Sequence, residues 1–68
     1  MKDLESIGLA IIRARQAKGM SQEDLAGAAE VARNYISRIE NGHVSFSVPV
    51  LLRIADALEI EPSKLLKR

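Results

Sequence analysis

An all-α fold, a compact bundle of five short helices, is what this sequence predicts, and three observations carry the prediction. Apolar residues recur at steps of three and four along nearly the whole chain, the spacing of a helix face. Serine, glycine and proline stand where such runs begin and end. Alternation with period two is confined to Val44-Ser45-Phe46-Ser47-Val48, between Gly42 and Pro49. So short a stretch between two breakers reads as an extended loop.

The first helix is expected from about Leu4 to Lys18. Leu4, Ile7, Ile11 and Ala14 share one face. Gly19 ends it in the left-handed position that follows a helix, with Met20 folding back onto the last turn. Ser21 opens the second helix. Its hydroxyl accepts from the backbone N–H of Asp24, whose carboxylate reaches back, a capping box. Leu25, Ala26 and Ala29 form the buried stripe. A break at Glu30-Val31 precedes a third helix, about Arg33 to Asn41, with Ile36 and Ile39 facing inward and Gly42 as its stop. Ser47 caps the fourth helix. Pro49 is tolerated in its first turn, where a missing N–H forfeits no bond. Phe46 and Leu51 stand at the two ends of a hydrophobic staple, and Leu51, Ile54, Ala55 and Leu58 make the stripe. Pro62 or Ser63 starts a fifth stub, Lys64 to Lys67, carrying Leu65 and Leu66.

Composition narrows the function classes. The 68 residues are expected to form one domain, residues 1–68, burying only ~60% of the surface the unfolded chain exposes. There is no room for a two-domain catalytic cleft. Cysteine is absent, so neither disulfides nor thiolate-held zinc staple the chain. His43 is the only histidine, and one histidine assembles neither a metal site nor a catalytic triad. With no glycine-rich phosphate loop and carboxylates scattered over helix surfaces, the chain is expected not to be an enzyme, and to need no metal, cofactor or small-molecule ligand. No window approaches the ~20 apolar residues of a membrane span, and no signal peptide is evident. The expectation is a soluble, cytoplasmic protein. Ten Lys and Arg against nine Asp and Glu leave a net charge of +1, far from the basic excess that alone announces nucleic acid. Tyr35 and Phe46 are the only aromatic residues, too few for a platform that stacks single-stranded bases.

The segment Gln22 to Gly42 carries the information about function. Two short helices are joined by a short turn, with Ala26 where they cross and Val31, Ile36 and Ile39 anchoring the second on the first. That is a helix-turn-helix pattern. Arg15-x3-Gly19-x-Ser21-Gln22-Glu23-x-Leu25-Ala26, then Val31-x4-Ile36-Ser37-x-Ile39-Glu40-x-Gly42, then Leu52-x-Ile54-Ala55-x-Ala57-Leu58, resembles the Cro/phage-repressor type of helix-turn-helix domain. The resemblance covers about residues 7 to 66. It implies a five-helix, lambda-repressor-like domain that binds double-stranded operator DNA as a homodimer and regulates transcription. Phage repressors, restriction–modification controller proteins and antitoxins share the pattern, and the chain looks most like the short stand-alone regulators. The alternative is a protein-interaction module, such as the partner-binding half of a toxin–antitoxin pair, on the same fold.

Carried over position by position, the resemblance implies base reading by Arg33, Asn34 and Arg38, with Ser37 beside them. The residue types suit the task, since Arg pairs bidentately with guanine and Asn with adenine. It implies phosphate contacts from Gln22, from Tyr35, expected to face away from Ile36 and Ile39, and from the loop Asn41, Gly42 and His43, where backbone N–H groups meet phosphate. It also implies a partly buried ion pair between Arg15 and Glu40 that ties helix one to helix three.

The chain departs from the pattern in three places. Glu30 stands where the turn usually has Gly, at ~1 kcal/mol if the backbone there is left-handed. Ala32 occupies the cap of helix three without a side-chain acceptor. The loop after Gly42 lacks the usual Lys or Arg. For the homodimer the sequence offers more apolar residues than one small core needs. Leu9 and Ile12 lie off the main stripe, and the interface is expected at Ile60, Leu65 and Leu66, with Val44 and Phe46 contributing.

Overall fold

The computed structural model describes residues 3–66. It contains α1 (Asp3–Ala17), α2 (Gln22–Ala29), α3 (Arg33–Glu40), α4 (Val48–Leu58) and α5 (Pro62–Leu66), and no strand among the described residues. Val44 to Ser47 are loop. The fifth helix starts at Pro62 itself; Lys67, expected at its end, lies outside the described residues.

Four helix ends close in one way. A left-handed residue stands one or two positions past the helix, and two N–H groups fold back onto the last turn. After α3, Gly42 has φ 72°, its N–H reaches the Ile39 carbonyl at 3.0 Å and the His43 N–H reaches Arg38 at 3.0 Å. Gly19 closes α1 likewise, with φ 70°. After α2 and α4 the left-handed residue is glutamate, Glu30 at φ 61° and Glu59 at φ 59°.

Ile11 of α1, Leu25, Ala26 and Ala29 of α2, Ile36 and Ile39 of α3, and Leu51, Ile54, Ala55 and Leu58 of α4 make one continuous core. Leu65 completes it at 1% exposure, which corrects its assignment to a dimer surface: α5 turns this side chain inward to close the core under α1. Val44, Phe46 and Ile60 are half-buried against the same core. They are partly spent within the monomer. Leu66 remains outside, 51% exposed, with Leu9, Val48 and Leu52.

Gly8 was not singled out in the sequence. A Cβ there would lie 2.4 Å from the backbone oxygen of Glu40 and 2.6 Å from that of Ile39. No side chain fits, so α1 and the end of α3 approach closely only because residue 8 is glycine. That contact sets α3 against the bundle.

Candidate nucleic-acid interface

The capping box at the start of α2 forms as the residue types dictate. The Asp24 N–H donates to Ser21 Oγ at 2.9 Å, and the Ser21 N–H donates to Asp24 Oδ2 at 3.0 Å. The bond from the Ser21 backbone, and then the one to its side chain, hold the Asp24 carboxyl below its ordinary value. The α2–α3 turn passes through left-handed Glu30 to Ala32, which is extended and gives α3 no side-chain cap.

At about 100° per residue, Arg33, Ser37, Asn41, Asn34 and Arg38 fall within an arc of about 140° on α3. The opposite side carries buried Ile36 and Ile39, while buried Glu40 lies at the edge of the arc, about 20° from Arg33. Arg33, Asn34, Arg38 and Asn41 are exposed and Ser37 is half-buried. Tyr35 departs from expectation. It is half-buried and packed against the core, because its helical position is only about 40° from that of Ile39.

Glu40 is the hub behind this face. Arg15 Nε donates to its Oε2 at 2.7 Å and Arg15 Nη2 to its Oε1 at 3.2 Å, while Nη1 holds the Met20 carbonyl at 2.9 Å. The two side chains retain 13% and 2% of their exposure. Gln22 Nε2 donates to Glu40 Oε1 at 2.9 Å. The Gln22 oxygen accepts from Arg33 Nη1 at 3.3 Å, and Arg33 Nη2 lies 3.4 Å from Asn34 Oδ1. Gln22, assigned by resemblance to phosphate, therefore has both ends of its amide engaged inside the chain.

The loop after α3 needs a correction. The N–H groups of Asn41, Gly42 and His43 donate to the carbonyls of Ser37, Ile39 and Arg38. Closing the helix consumes the amides expected to meet phosphate. Gly42 has no side chain to offer and packs on Glu5; Asn41 and His43 keep exposed side chains.

Two contacts have no counterpart in the sequence reading. Arg53 of α4 donates through Nε to the Ala29 carbonyl at 3.1 Å, tying the turn of the motif to the bundle. Lys18 Nζ meets Glu59 Oε1 at 2.6 Å, at the surface. Nothing local announces either. Gly8 did carry a signal, since a glycine inside an unbroken helical pattern marks a close approach.

The model of the helix-turn-helix family matches residues 11–65 of the chain. The chain belongs to the helix-turn-helix family. Solved structures agree. The restriction-modification controller protein C.AhdI from Aeromonas hydrophila is 38% identical, with 96% of this chain and 98% of that one covered and a TM-score of 0.93. The clp gene regulator ClgR from C. glutamicum is 30% identical over 93% of this chain and 82% of that one, with a TM-score of 0.87. The controller protein C.Esp1396I is 34% identical over 91% and 80%, with a TM-score of 0.84. No curated protein matches the sequence. Within the helix-turn-helix family, α2 and α3 are the motif, α3 is its second helix, and the exposed arc from Arg33 to Arg38 is that helix's outward face. No helix among the described residues is long and apolar enough to cross a membrane.

Proposed function

We propose that this DNA-binding transcription regulator reads a near-palindromic operator in the major groove with α3, as a homodimer. The observation that carries the reading is the outward face of α3. Arg33, Asn34 and Arg38 stand exposed on it, opposite a buried apolar side that fixes the helix on the bundle. Arg33 and Arg38 take guanine edges, Asn34 an adenine edge, and Ser37 supports them. The Tyr35 hydroxyl and the side chains of Asn41 and His43 take phosphates beside the groove. The likeness to C.AhdI in length and fold supports a controller-type regulator.

Size supports the dimer. Half-sites of a palindromic operator lie about 34 Å apart. One molecule is 28 Å in its longest dimension and presents a single α3, so two half-sites take two copies. Leu66, with exposed Leu9, Val48 and Leu52, supplies apolar surface for the contact, and the half-buried Val44, Phe46 and Ile60 border it.

The test is a binding series at fixed salt on a duplex selected from random sequence. Arg33→Ala and Arg38→Ala are each expected to weaken binding and to relax one base preference per half-site, worth roughly 1–3 kcal/mol. If both leave affinity and preference unchanged, the base-reading assignment is wrong. Equilibrium sedimentation showing one copy on the operator removes the dimer.

A further inference from the structure

We propose that Arg53 is a positioning residue for DNA reading: from α4 it clamps the left-handed turn at Glu30, and so fixes where α3 starts on the bundle. The inference rests on the reading above that α3 meets base edges. It gives a role in recognition to a residue of α4, outside the motif.

The turn between α2 and α3 has little of its own to hold it. Glu30 is left-handed, with φ 61° and ψ 43°, and lacks the freedom of glycine. Its N–H reaches the Gly27 carbonyl at 3.3 Å, whereas at the other glutamate-closed end the Glu59 N–H reaches Asp56 at 3.0 Å. Ala32 gives α3 no side-chain cap. Val31 and Ala32 alone separate Glu30 from Arg33, the first residue of α3. A change of backbone at Glu30 therefore swings the start of α3 directly.

Arg53 supplies the missing hold. The last carbonyls of a helix have no partner within it. Ala29 is buried, 1% exposed, so water does not fill that place. Arg53 Nε donates to the Ala29 carbonyl at 3.1 Å. This carbonyl and the Glu30 N–H belong to one planar peptide group. Holding the oxygen fixes the plane, and rotation of the plane about the N–Cα bond of Glu30 is its φ. The bond thus acts on the dihedral that is strained. The packing gives it reach. α4 lies chiefly on α2 and α5, and α3 chiefly on α2 and α1, so α4 governs α3 through α2 and the turn.

Arg53 is also an exposed cation, and a clamp separates from a phosphate contact by chemistry. Glutamine Nε2 stands as many bonds from Cα as arginine Nε, so Arg53→Gln keeps a donor there without the charge. Arg53→Met keeps the length without the donor. The measurement uses the full chain as wild type, Arg53→Gln and Arg53→Met, each with and without Glu30→Gly. Each is bound to a duplex selected from random sequence, at two salt concentrations. Thermal melts show folding, and amide hydrogen exchange reads the turn locally. Arg53→Met is expected to weaken binding about 3- to 10-fold and to speed exchange of the Val31 N–H, with the salt slope and the exchange of core amides in α4 held. Arg53→Gln should restore both. In the Glu30→Gly background Arg53→Met should cost less than about 2-fold, because glycine keeps the left-handed turn without a clamp. Equal losses in Arg53→Gln and Arg53→Met with a shallower salt slope overturn the proposal and make Arg53 a phosphate contact. A loss that Glu30→Gly does not reduce, or full binding by Arg53→Met, overturns it as well, while DNA reading by α3 stands on the wild type and Arg33→Ala. If the wild type selects no duplex, that reading fails and the positioning role falls with it.

Discussion

Glu40 and Glu59 each take a cation from the end of α1, in opposite surroundings. Glu40 is buried, its side chain 2% exposed, and it accepts from Arg15 twice and from Gln22 once. Glu59 is 77% exposed and meets Lys18 alone. The first carboxylate has been stripped of water and must be matched by donors; the second keeps its hydration whether or not Lys18 is present. The difference teaches where the fold is vulnerable. A buried pair is costly to break from one side, because the partner left behind has no water to replace the lost bonds. An exposed pair adds little and is screened by salt. Here the vulnerable pair is also the one that lies behind the outward face of α3.

The largest expected effect follows directly. Arg15→Ala leaves Glu40 buried with Gln22 alone and frees the Met20 carbonyl as well. A loss of roughly 3 kcal/mol is expected, read by urea or thermal unfolding. The double change Arg15→Met with Glu40→Leu replaces both charges with apolar volume and should cost much less. Equal small losses in the single and double variants would show the pair to be unimportant, and the contrast with Glu59 would disappear.

Gly8→Ala attacks the same junction through shape. Its new Cβ would press on the carbonyls of Glu40 and Ile39, both backbone atoms, so relief requires moving α1 from α3. Overpacking of this kind costs about 1–3 kcal/mol, set against the ~1 kcal/mol of helix propensity that alanine gains. A net loss of up to about 2 kcal/mol is expected. A stabilised variant would mean that the two helices stand farther apart in solution.

Glu30→Gly sharpens the contrast between the helix ends. Glycine removes the left-handed strain and is expected to gain up to ~1 kcal/mol. Glu59→Gly relieves the same strain but gives up Lys18, so it should gain less than Glu30→Gly. The reverse order would mean that the surface pair outweighs the backbone term.

How much of this was legible in the sequence depends on how far apart the interacting parts lie. Helix faces and caps are local, so Ile36 and Ile39, Ser21 with Asp24, and the stops at Gly19 and Gly42 all follow from spacing. The left-handed Glu30 and the meeting of Arg15 with Glu40 needed a resemblance, because each depends on a turn or a packing that periodicity does not contain. Leu65 was misread because a five-residue helix is too short to define a stripe. The amides of Asn41, Gly42 and His43 were misassigned although the signal was present: a glycine stop already implies that those N–H groups close the helix. Both bonds of Gln22, the reach of Arg53 to Ala29 and the meeting of Lys18 with Glu59 were out of range, since each is made between elements far apart in the chain.

The smallest effect concerns pH, and it separates two exposed carboxyls. Glu59 is held below its ordinary 4.5 first by the hydrogen bond from Lys18 and then by its charge. Asp24 is held below 3.8 by the backbone N–H of Ser21 and then by its side chain. Both folded values are lowered, so both groups contribute stability in the ionised form. That contribution is complete above the ordinary values and is lost as pH falls through the lower folded ones. Both groups are exposed and the loss is small, so the measurement is a direct titration of each carboxyl by NMR. Lys18→Met should return Glu59 to its ordinary range and leave Asp24 where it was. Salt at about 1 M, where charges are screened within roughly 3 Å, should weaken the charge part of the Glu59 shift. It should barely move Asp24, whose partners are neutral. If Glu59 titrates alike with and without Lys18, the surface pair does not form in solution, and the contrast with the buried Glu40 pair loses its exposed half.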